Sequence, residues 1–323
     1  MGDPAGIGPE IVLKALARVD VRELCAPVVF GNLHWLQQTA SGLGLSLSLA
    51  DAGNRAECDA WANSIPVRDA TDADLRGVVV GQVSARAGRA AAECVIAAAR
   101  SALDGEIDAV VTAPLNKEAI ALGGYPYPGH TELLAEVAKT ASYGMLLLSG
   151  ALRVIHVSTH VSLREAIECV RTGRILECIR LGHRACQDLG IASPRIAVAG
   201  LNPHAGEHGL FGGEEAAEIV PAIDQARSEG IDATGPYPPD TVFARCRNGE
   251  FDLVVAMYHD QGHIPVKLHG FDSGVNVTIG LPLIRVSVDH GTAFDIAGKG
   301  IAREESLVEA IRVAAQMVRV KRS

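Results

Sequence analysis

Short apolar runs alternate with longer amphipathic segments along most of this chain. The runs have the length of strands and lie at residues 27–30, 107–114, 145–148, 154–157, 196–199 and 253–257. The segments between them have helical periodicity and lie at residues 10–17, 35–43, 87–103, 163–171, 175–189, 214–228 and 304–318. Because strands without polar alternation are buried on both faces, this order predicts an α/β protein whose helices cover both sides of a sheet.

Polar residues that could bind a ligand or take part in catalysis lie where the predicted strands end. The motif YHDQGH at residues 258–263 follows a buried strand, and DHGTAFDIAGKG at residues 289–300 follows another apolar run. Ligands of α/β sheets bind at the carboxyl ends of strands, and glycine lets the backbone approach a ligand closely. We therefore expect a metal and substrate edge at the first motif and a nucleotide edge at the second.

The size and charge of the chain exclude several classes of protein. Its 323 residues are enough for two domains, and the net charge of -9 without a dense basic run argues against nucleic acid or an anionic membrane as a partner. No apolar run reaches the roughly 18–20 residues of a membrane span. The seven cysteines include no CxxC pair, which is typical of reduced thiols and predicts a cytoplasmic protein.

The chain opens on a glycine-rich turn at residues 2–8 that leads into the first helix. Pro9 then occupies the first helical position, where its missing N–H costs nothing. Such a turn is normally preceded by a strand. We therefore expect that a strand ahead of Met1 is missing, or that the start is mis-assigned.

Three histidines lie just beyond predicted strands, namely His160, His204 and His259. Three neutral imidazoles suit a divalent transition metal and leave coordination positions open for a substrate. A lone loop histidine is often only a capping residue, so their common position carries this inference. His156 has HxxxH spacing with His160, but four residues of strand span about 13 Å, too far for two ligands of one ion. We expect His156 to be packed in the core.

A second set of residues offers N–H and O–H donors of the kind that bind phosphate: His130, Thr131, Lys267, Asn276 and Arg285. Arginine binds a phosphate through its planar fork and lysine binds it as a point charge. The apolar flanks of Lys267 and Arg285 make plain surface salt bridges a weaker interpretation. Asp240 and Asp260 could orient a histidine, bind a metal or carry a proton, and the sequence leaves these roles open.

Motifs along nearly the whole chain resemble, in order, those of the 4-hydroxythreonine-4-phosphate dehydrogenase family: GDPAGIGPE, TAPLNKEAI, YPGHTELLAE, STH, LNPHAGE, PPDTVF, AMYHDQG, GVNVTIGLPLIR and DHGTA. The resemblance implies an isocitrate/isopropylmalate dehydrogenase-like fold. Its two α/β/α domains, residues 1–125 with 260–323 and residues 126–259, would flank an active-site cleft in a homodimer. It further implies a divalent metal (Zn, Mg, Co or Mn) at the three histidines, with ligands shared across the dimer, and a phosphorylated substrate at the donor set.

The segment DHGTAFDIAGKGIA is also similar to the HGSAPDIAGKGIA nucleotide loop of isopropylmalate dehydrogenases. This similarity implies that the cofactor is contacted by His290, Gly291, Thr292, Asp295 and Ile296. In that loop an Asp-Ile pair goes with NAD and a Lys-Tyr pair with NADP. A carboxylate at Asp295 can accept a hydrogen bond from the ribose 2′-hydroxyl and repels a 2′-phosphate, so we predict NAD.

The implied reaction is the NAD-dependent oxidation and decarboxylation of a small phosphorylated 3-hydroxy acid in pyridoxine biosynthesis. Lys267 is the candidate proton carrier, with Asp240 behind it. Pyridoxal-pathway members usually read YHDQGLPVLK, whereas this chain reads YHDQGHIPVK. A sister branch that oxidises 4-phospho-D-threonate or D-erythronate 4-phosphate is therefore the alternative.

Two alternatives belong to other classes of enzyme. A metal-dependent hydrolase would leave the DHGTAFDIAGKG segment without a role, and a phosphate acyltransferase would leave the three histidines without one. Reduction of NAD distinguishes both from the dehydrogenase.

Overall fold

The computed structural model describes residues 1–53, 64–270 and 274–323, and these form two compact units. Unit 1 consists of Met1–Ala141 and Leu281–Val318, and unit 2 consists of Ser142–Gly280 and Arg319–Ser323. The divisions after residues 141 and 280 differ from those predicted after residues 125 and 259. Cys58 lies outside the described residues, and the other six cysteines are free thiols.

Unit 1 contains two groups of strands surrounded by helices. Its helices are α1 (Gly8–Ala17), α2 (Val19–Leu24), α3 (Leu33–Gly42), α4 (Ala85–Leu103), α5 (Lys117–Leu122), α6 (His130–Ala138) and most of α12 (Glu305–Arg322), whose residues from Arg319 onward belong to unit 2. Its strands are β1 (Val29–Gly31), β2 (Leu49–Asp51), β3 (Ile65–Asp69), β4 (Ala109–Thr112) and β11 (Ile284–Val288). β1, β3 and β2 form a parallel sheet in that order, and β4 pairs in parallel with β11.

Unit 2 is built on strands in the order β10-β5-β6-β9-β7-β8. These strands are β5 (Gly144–Ser149), β6 (Leu152–His156), β7 (Ile196–Ala199), β8 (Ala233–Tyr237), β9 (Leu253–Ala256) and β10 (Val275–Ile279). β6, β9, β7 and β8 are parallel, whereas β5 is antiparallel to both of its neighbours. The helices are α7 (Leu163–Glu168), α8 (Thr172–Asp188), α9 (Val220–Ser228), α10 (Val242–Arg247) and α11 (His259–His269).

The apolar cores explain where the two units divide. Leu133 and Leu134 of α6 are buried in one cluster with Val95 of α4, so residues 126–141 belong to unit 1. Val266 of α11 packs with Leu147 of β5 in the core of unit 2, which places the segment after residue 259 there. The α/β class is confirmed, and β9 and β7 are buried at every position, as their continuous apolar sequences predict.

Several strands and one helix could not be predicted from the apolar runs, for identifiable reasons. β3 contains Pro66 and β8 contains Gly235 and Pro236, residues that usually mark turns. β10 alternates polar and apolar residues, the pattern of an antiparallel strand. The motif YHDQGH follows β9, as predicted, and most of it forms the start of α11, a helix whose glycine and proline, Gly262 and Pro265, hide it from a reading of helical periodicity. Within the described parts of the chain, no helix is both long enough and apolar enough to span a membrane.

Candidate active site

The three predicted metal ligands follow three neighbouring strands of unit 2. β6 and β7 each pair in parallel with β9, so the carboxyl ends of all three strands lie at one edge of the sheet. A few residues beyond the ends of these strands lie His160, His204 and His259, as the sequence predicted. Side chains of the same edge cross-link it. Ser158 Oγ donates to the carbonyl of Met257 at 3.1 Å, and Gln261 Nε2 donates to the carbonyl of Gly200 at 2.8 Å.

His259 is the first residue of α11, and its ring is held from two sides. Its Nδ1 lies 2.7 Å from Oδ1 of Asp260, and the ring of His263 stacks on it with centroids 3.6 Å apart. A carboxylate at Nδ1 favours the tautomer with the proton there, which leaves the Nε2 lone pair for a metal. The ring of His160 lies 6.0 Å away between centroids. Asp260, whose role the sequence left open, therefore orients a histidine.

His156 is a core residue, as predicted, with only 2% of its surface exposed. Its ring centroid lies 4.7 Å from that of His263, and a Cβ at Gly262 would approach its Nε2 to 2.3 Å. Burial, and secondarily the neighbouring His263, hold the pKa of His156 well below its usual range, so the ring is neutral. This buried ring packs next to His263, which in turn stacks on His259.

His204 lies in a left-handed backbone turn rather than a simple loop. Residues 204–208 all have positive φ, an arrangement that costs about 1–2 kcal/mol per non-glycine residue. The buried carboxylate of Glu215 holds the base of this turn. It accepts hydrogen bonds from the backbone N–H groups of Leu201 at 2.9 Å and Asn202 at 2.7 Å. The His204 ring itself is exposed and lies 6.0 Å from that of Phe211.

The donor chemistry of this edge fits a divalent transition metal, with Nε2 of His259 available and further imidazoles at the same edge. Within the described ranges, however, no group of three or more His, Cys, Asp or Glu side chains of one chain is arranged to hold an ion. The structure thus brings His160 and His259 together, while the contact of His204 is with Phe211.

The predicted phosphate donors divide between the units, and unit 1 holds three of them. Arg285 on β11 is 2% exposed and donates from Nη2 to Thr112 Oγ1 at 2.7 Å. His130 and Thr131 open α6, and Nε2 of His130 is buried without a hydrogen-bond partner among the described residues. A cavity of about 80 Å³ lies beside them, lined by Thr112, Ala113, Pro114, Leu115, His130, Ser287, Val288 and His290.

Arg285 does not line this cavity, but its charge lies next to the lining residues Thr112 and His130 and favours an anion there. Burial lowers the pKa of Arg285 to about 9, against the opposing effect of Glu132, so the guanidinium remains charged at neutral pH. Burial, and then the positive charge of Arg285, hold the pKa of His130 well below its usual range. The neutral imidazole therefore adds no charge but can still hydrogen-bond. A buried cation beside an unpartnered ring nitrogen is the kind of environment that binds a phosphate oxygen.

Unit 2 holds the other predicted substrate and proton-transfer residues. Lys267 is exposed on α11, about two turns beyond His259, and Asn276 lies on β10 opposite Leu147. Asp240 is exposed in the turn between β8 and α10. Their roles stay predictions.

The predicted nucleotide segment, residues 289–302, is called the DHG loop from here on. It follows β11 in unit 1 as an irregular segment with a turn at residues 294–300, and Asp295 in that turn is exposed. The N-terminal glycine turn packs directly on it. Ile7 N donates to the carbonyl of Thr292 at 3.0 Å, and a Cβ at Gly6 would approach Thr292 Cβ to 2.9 Å. An exposed carboxylate in a loop that glycine approaches closely fits the ribose end of a nucleotide.

Sequence reasoning missed the residues that support the site rather than form it. Gln261 and Gly6 act through contacts with segments far along the chain, and Glu215 acts through the backbone of Leu201 and Asn202, 14 and 13 residues before it. For Gln261 and Gly6, the signal was their place inside the YHDQGH and GDPAGIGPE motifs. For Glu215, nothing in the local sequence indicates its role.

The whole chain is similar to known dehydrogenases. The D-threonate 4-phosphate dehydrogenase of Cupriavidus necator is 50% identical over 320 residues, which cover 98% of this chain and 95% of the relative. The 4-hydroxythreonine-4-phosphate dehydrogenase of Beijerinckia indica is 47% identical over 318 residues, covering 98% and 93%. The crystal structure of the 4-hydroxythreonine-4-phosphate dehydrogenase from Klebsiella pneumoniae has a TM-score of 0.87 to this chain at 46% identity, and the match covers 98% of both chains.

Similarity of this extent, over fold and sequence alike, defines the class of the protein: it is a dehydrogenase, an oxidoreductase that acts on a CH–OH group. The family described as pyridoxal phosphate biosynthetic protein PdxA matches residues 23–314, and the chain belongs to that family. The resemblance carried by the sequence motifs is confirmed.

Proposed function

We propose that this protein uses NAD and a divalent metal to oxidise the 3-hydroxyl of a linear, phosphorylated hydroxy acid, with loss of carbon dioxide from the product. The observation that carries the proposal is the edge of unit 2 where His160, His204 and His259 follow β6, β7 and β9, called the histidine edge. There, His259 is oriented by Asp260 at 2.7 Å and has His160 beside it at 6.0 Å between rings.

We infer that His160 and His259 of one chain hold the metal together with His204 from a second copy in a homodimer. The contact between the first two rings and the exposure of His204 support this division. Leu210 and Phe211, beside His204, are 73% and 46% exposed, which suits a surface covered by another subunit. When bound, the metal (Zn, Mg, Co or Mn) acts as a Lewis acid toward the substrate's oxygen atoms.

The buried Arg285 and His130 would bind the phosphate of the substrate, with Thr131, Lys267 and Asn276 as further donors. A phosphate held at a distance from the reacting carbon fixes the orientation of the substrate. The fork of Arg285 is itself fixed by Thr112 at 2.7 Å. This pre-organisation supports recognition of a phosphorylated substrate.

The DHG loop would bind NAD, with His290, Gly291, Thr292 and Ile296 around the nucleotide and the exposed Asp295 accepting from the ribose 2′-hydroxyl. When bound, NAD would supply the acceptor for the hydride of the alcohol carbon. The hydroxyl proton leaves to a protein group, for which we propose the unprotonated amine of Lys267, with Asp240 behind it. Both residues are exposed, so exchange of the proton with water is direct.

Sequence similarity favours D-threonate 4-phosphate as the substrate. A relative of that name shares 50% identity, against 47% for the 4-hydroxythreonine-4-phosphate dehydrogenase of Beijerinckia indica. The amino acid 4-phosphohydroxy-threonine, the substrate type of pyridoxine biosynthesis, is the second candidate. The free thiols of the described cysteines support a cytoplasmic location.

The test is NADH formation with added divalent metal on three substrates: D-threonate 4-phosphate, D-erythronate 4-phosphate and 4-phosphohydroxy-threonine. We expect the highest kcat/KM with D-threonate 4-phosphate. Preferential turnover of the amino acid would instead assign the protein to pyridoxine biosynthesis. If none of the three reduces NAD while NAD and metal both bind, the proposed substrate class is wrong.

A further inference from the structure

The first helix is fastened to the end of the DHG loop by one lysine. Lys14 Nζ donates to the carbonyl oxygens of Gly300 at 2.9 Å and Ala302 at 2.7 Å, and to Oε1 of Glu10 at 2.8 Å. These three acceptors use all three ammonium protons. The lysine side chain is 20% exposed: its bond to Gly300 lies at the surface, and its bonds to Ala302 and Glu10 are partly buried.

The carboxylate of Glu10 makes a second connection between α1 and the end of the DHG loop. Its Oε1 also accepts a hydrogen bond from the backbone N–H of Ala302 at 2.9 Å, and its side chain is only 2% exposed. Ala302 therefore binds the pair twice, through its carbonyl to the lysine and through its N–H to the glutamate. The i,i+4 spacing on α1 places both charges side by side toward the loop.

The same N-terminal segment also holds the beginning of the DHG loop. Ile7, one residue before α1, donates its N–H to the carbonyl of Thr292 at 3.0 Å. The loop is thus fixed near both ends by residues 7–14. Asp295 and Ile296, the residues proposed to select the cofactor, lie between the two attachments.

A charge pair of this kind is a weak source of stability, because removing both charges from water costs about as much as their attraction returns. Its geometric effect is specific, since it fixes the carbonyls of Gly300 and Ala302 and the N–H of Ala302 in a loop without regular secondary structure. We propose that Lys14 and Glu10 are positioning residues that hold the DHG loop in its nucleotide-binding conformation. This inference rests on the proposed binding of NAD by that loop.

Lys14→Met tests the inference with two readouts on the full-length protein. Hydrogen exchange of the ligand-free variant should accelerate at the amides of residues 292–303 and stay unchanged elsewhere. The Kd for NADH, followed by its fluorescence, should rise about tenfold or more, as expected for lost hydrogen bonds to a charged group. The kcat at saturating NAD should change less than about twofold, since no reacting group is altered.

Matched variants separate positioning from general destabilisation. Lys321→Met removes the same charge at the exposed end of α12 and should change neither readout. Lys14→Arg keeps donors for the carbonyls and should restore most of the affinity. Should Lys14→Met not fold, Glu10→Gln is the second variant; it keeps the acceptor for Ala302 N–H, and a several-fold weaker NADH affinity is expected.

An unchanged loop exchange in Lys14→Met, or faster exchange with an unchanged Kd for NADH, would overturn the positioning role. The failure of the proposed function has a different signature: wild-type protein would neither bind NADH nor reduce NAD. In that case the positioning role falls with it, whatever the exchange of the loop.

Discussion

The imidazole of His263 lies flat against that of His259, with centroids 3.6 Å apart and planes inclined by 11°. Nδ1 of His263 is 3.0 Å from the carbonyl of His259, which ties the stacked ring to the backbone of its neighbour. Asp260 contacts the edge of the same His259 ring, with its carboxylate at Nδ1. The proposed metal ligand is thus fixed in plane and in tautomer before a metal binds.

Removal of the orienting carboxylate should weaken metal binding. Loss of such a partner typically costs ten- to a hundredfold in metal affinity, so Asp260→Ala should raise the Kd for Co²⁺ by about that factor. Isothermal titration of metal-free protein measures it. Asp224→Ala removes an exposed carboxylate of α9 and serves as the control. Equal metal affinity in Asp260→Ala and wild type would show that Asp260 does not orient a ligand.

A metal site shared between subunits predicts complementation between two inactive variants. His204→Ala and His259→Ala should each lose activity by orders of magnitude while remaining folded. Mixing them under conditions that exchange subunits should restore about a quarter of the wild-type activity, because half of the dimers are mixed and each of those has one intact site. If the mixture stays inactive although subunit exchange is demonstrated, the three histidines do not combine across the dimer in this way.

Arg285 should contribute to substrate binding far more than to stability. Arg285→Met replaces a buried cation by an apolar chain of similar length, which removes the cost of keeping that charge out of water, so the loss of stability should be small beside the effect on binding. The KM for the phosphorylated substrate should rise about ten- to a hundredfold with the lost charge-assisted hydrogen bonds. Steady-state kinetics and thermal unfolding measure the two effects, with Arg180→Met, at an exposed ion pair with Glu229, as control. A severe loss of stability with an unchanged KM is the opposite result.

The buried carboxyl of Asp3 should make stability depend on pH. Burial raises the pKa of Asp3 from 3.8 to about 6, against the opposing backbone hydrogen bonds of Ala5 and Asn116. Below about pH 3 the group is protonated in both the folded and unfolded states. As pH rises toward 6 the unfolded state ionises first, so stability falls, by about 3 kcal/mol at most.

Asp3→Asn cannot ionise and should lose this dependence. The free energy of unfolding of the variant, relative to wild type, should therefore increase between pH 4 and pH 6 and then level off. Asp224→Asn, at an exposed position, should show no such trend. A constant difference between Asp3→Asn and wild type over that range would mean that Asp3 titrates normally in the folded protein.

The histidine edge could be predicted from the sequence, because local apolar runs identify its strands and the pairing of those strands brings their ends together. β6, β7 and β9 are continuous apolar runs, and parallel neighbours place their carboxyl ends together. α11 was hidden by Gly262 and Pro265, which usually end helices. Glu215 and the Lys14–Glu10 pair were not predictable, because their partners lie up to 292 residues away along the chain. Such contacts depend on tertiary packing, which no local pattern encodes.

We propose that this dehydrogenase needs NAD and a bound divalent metal together. The most direct measurement is NADH absorbance with D-threonate 4-phosphate after chelation and removal of the chelator, then after addition of Co²⁺, Mn²⁺, Mg²⁺ or Zn²⁺. We predict no NADH from metal-free protein and recovery with at least one of these ions, in wild type but not in His259→Ala. Full turnover by protein shown to be metal-free would contradict the account.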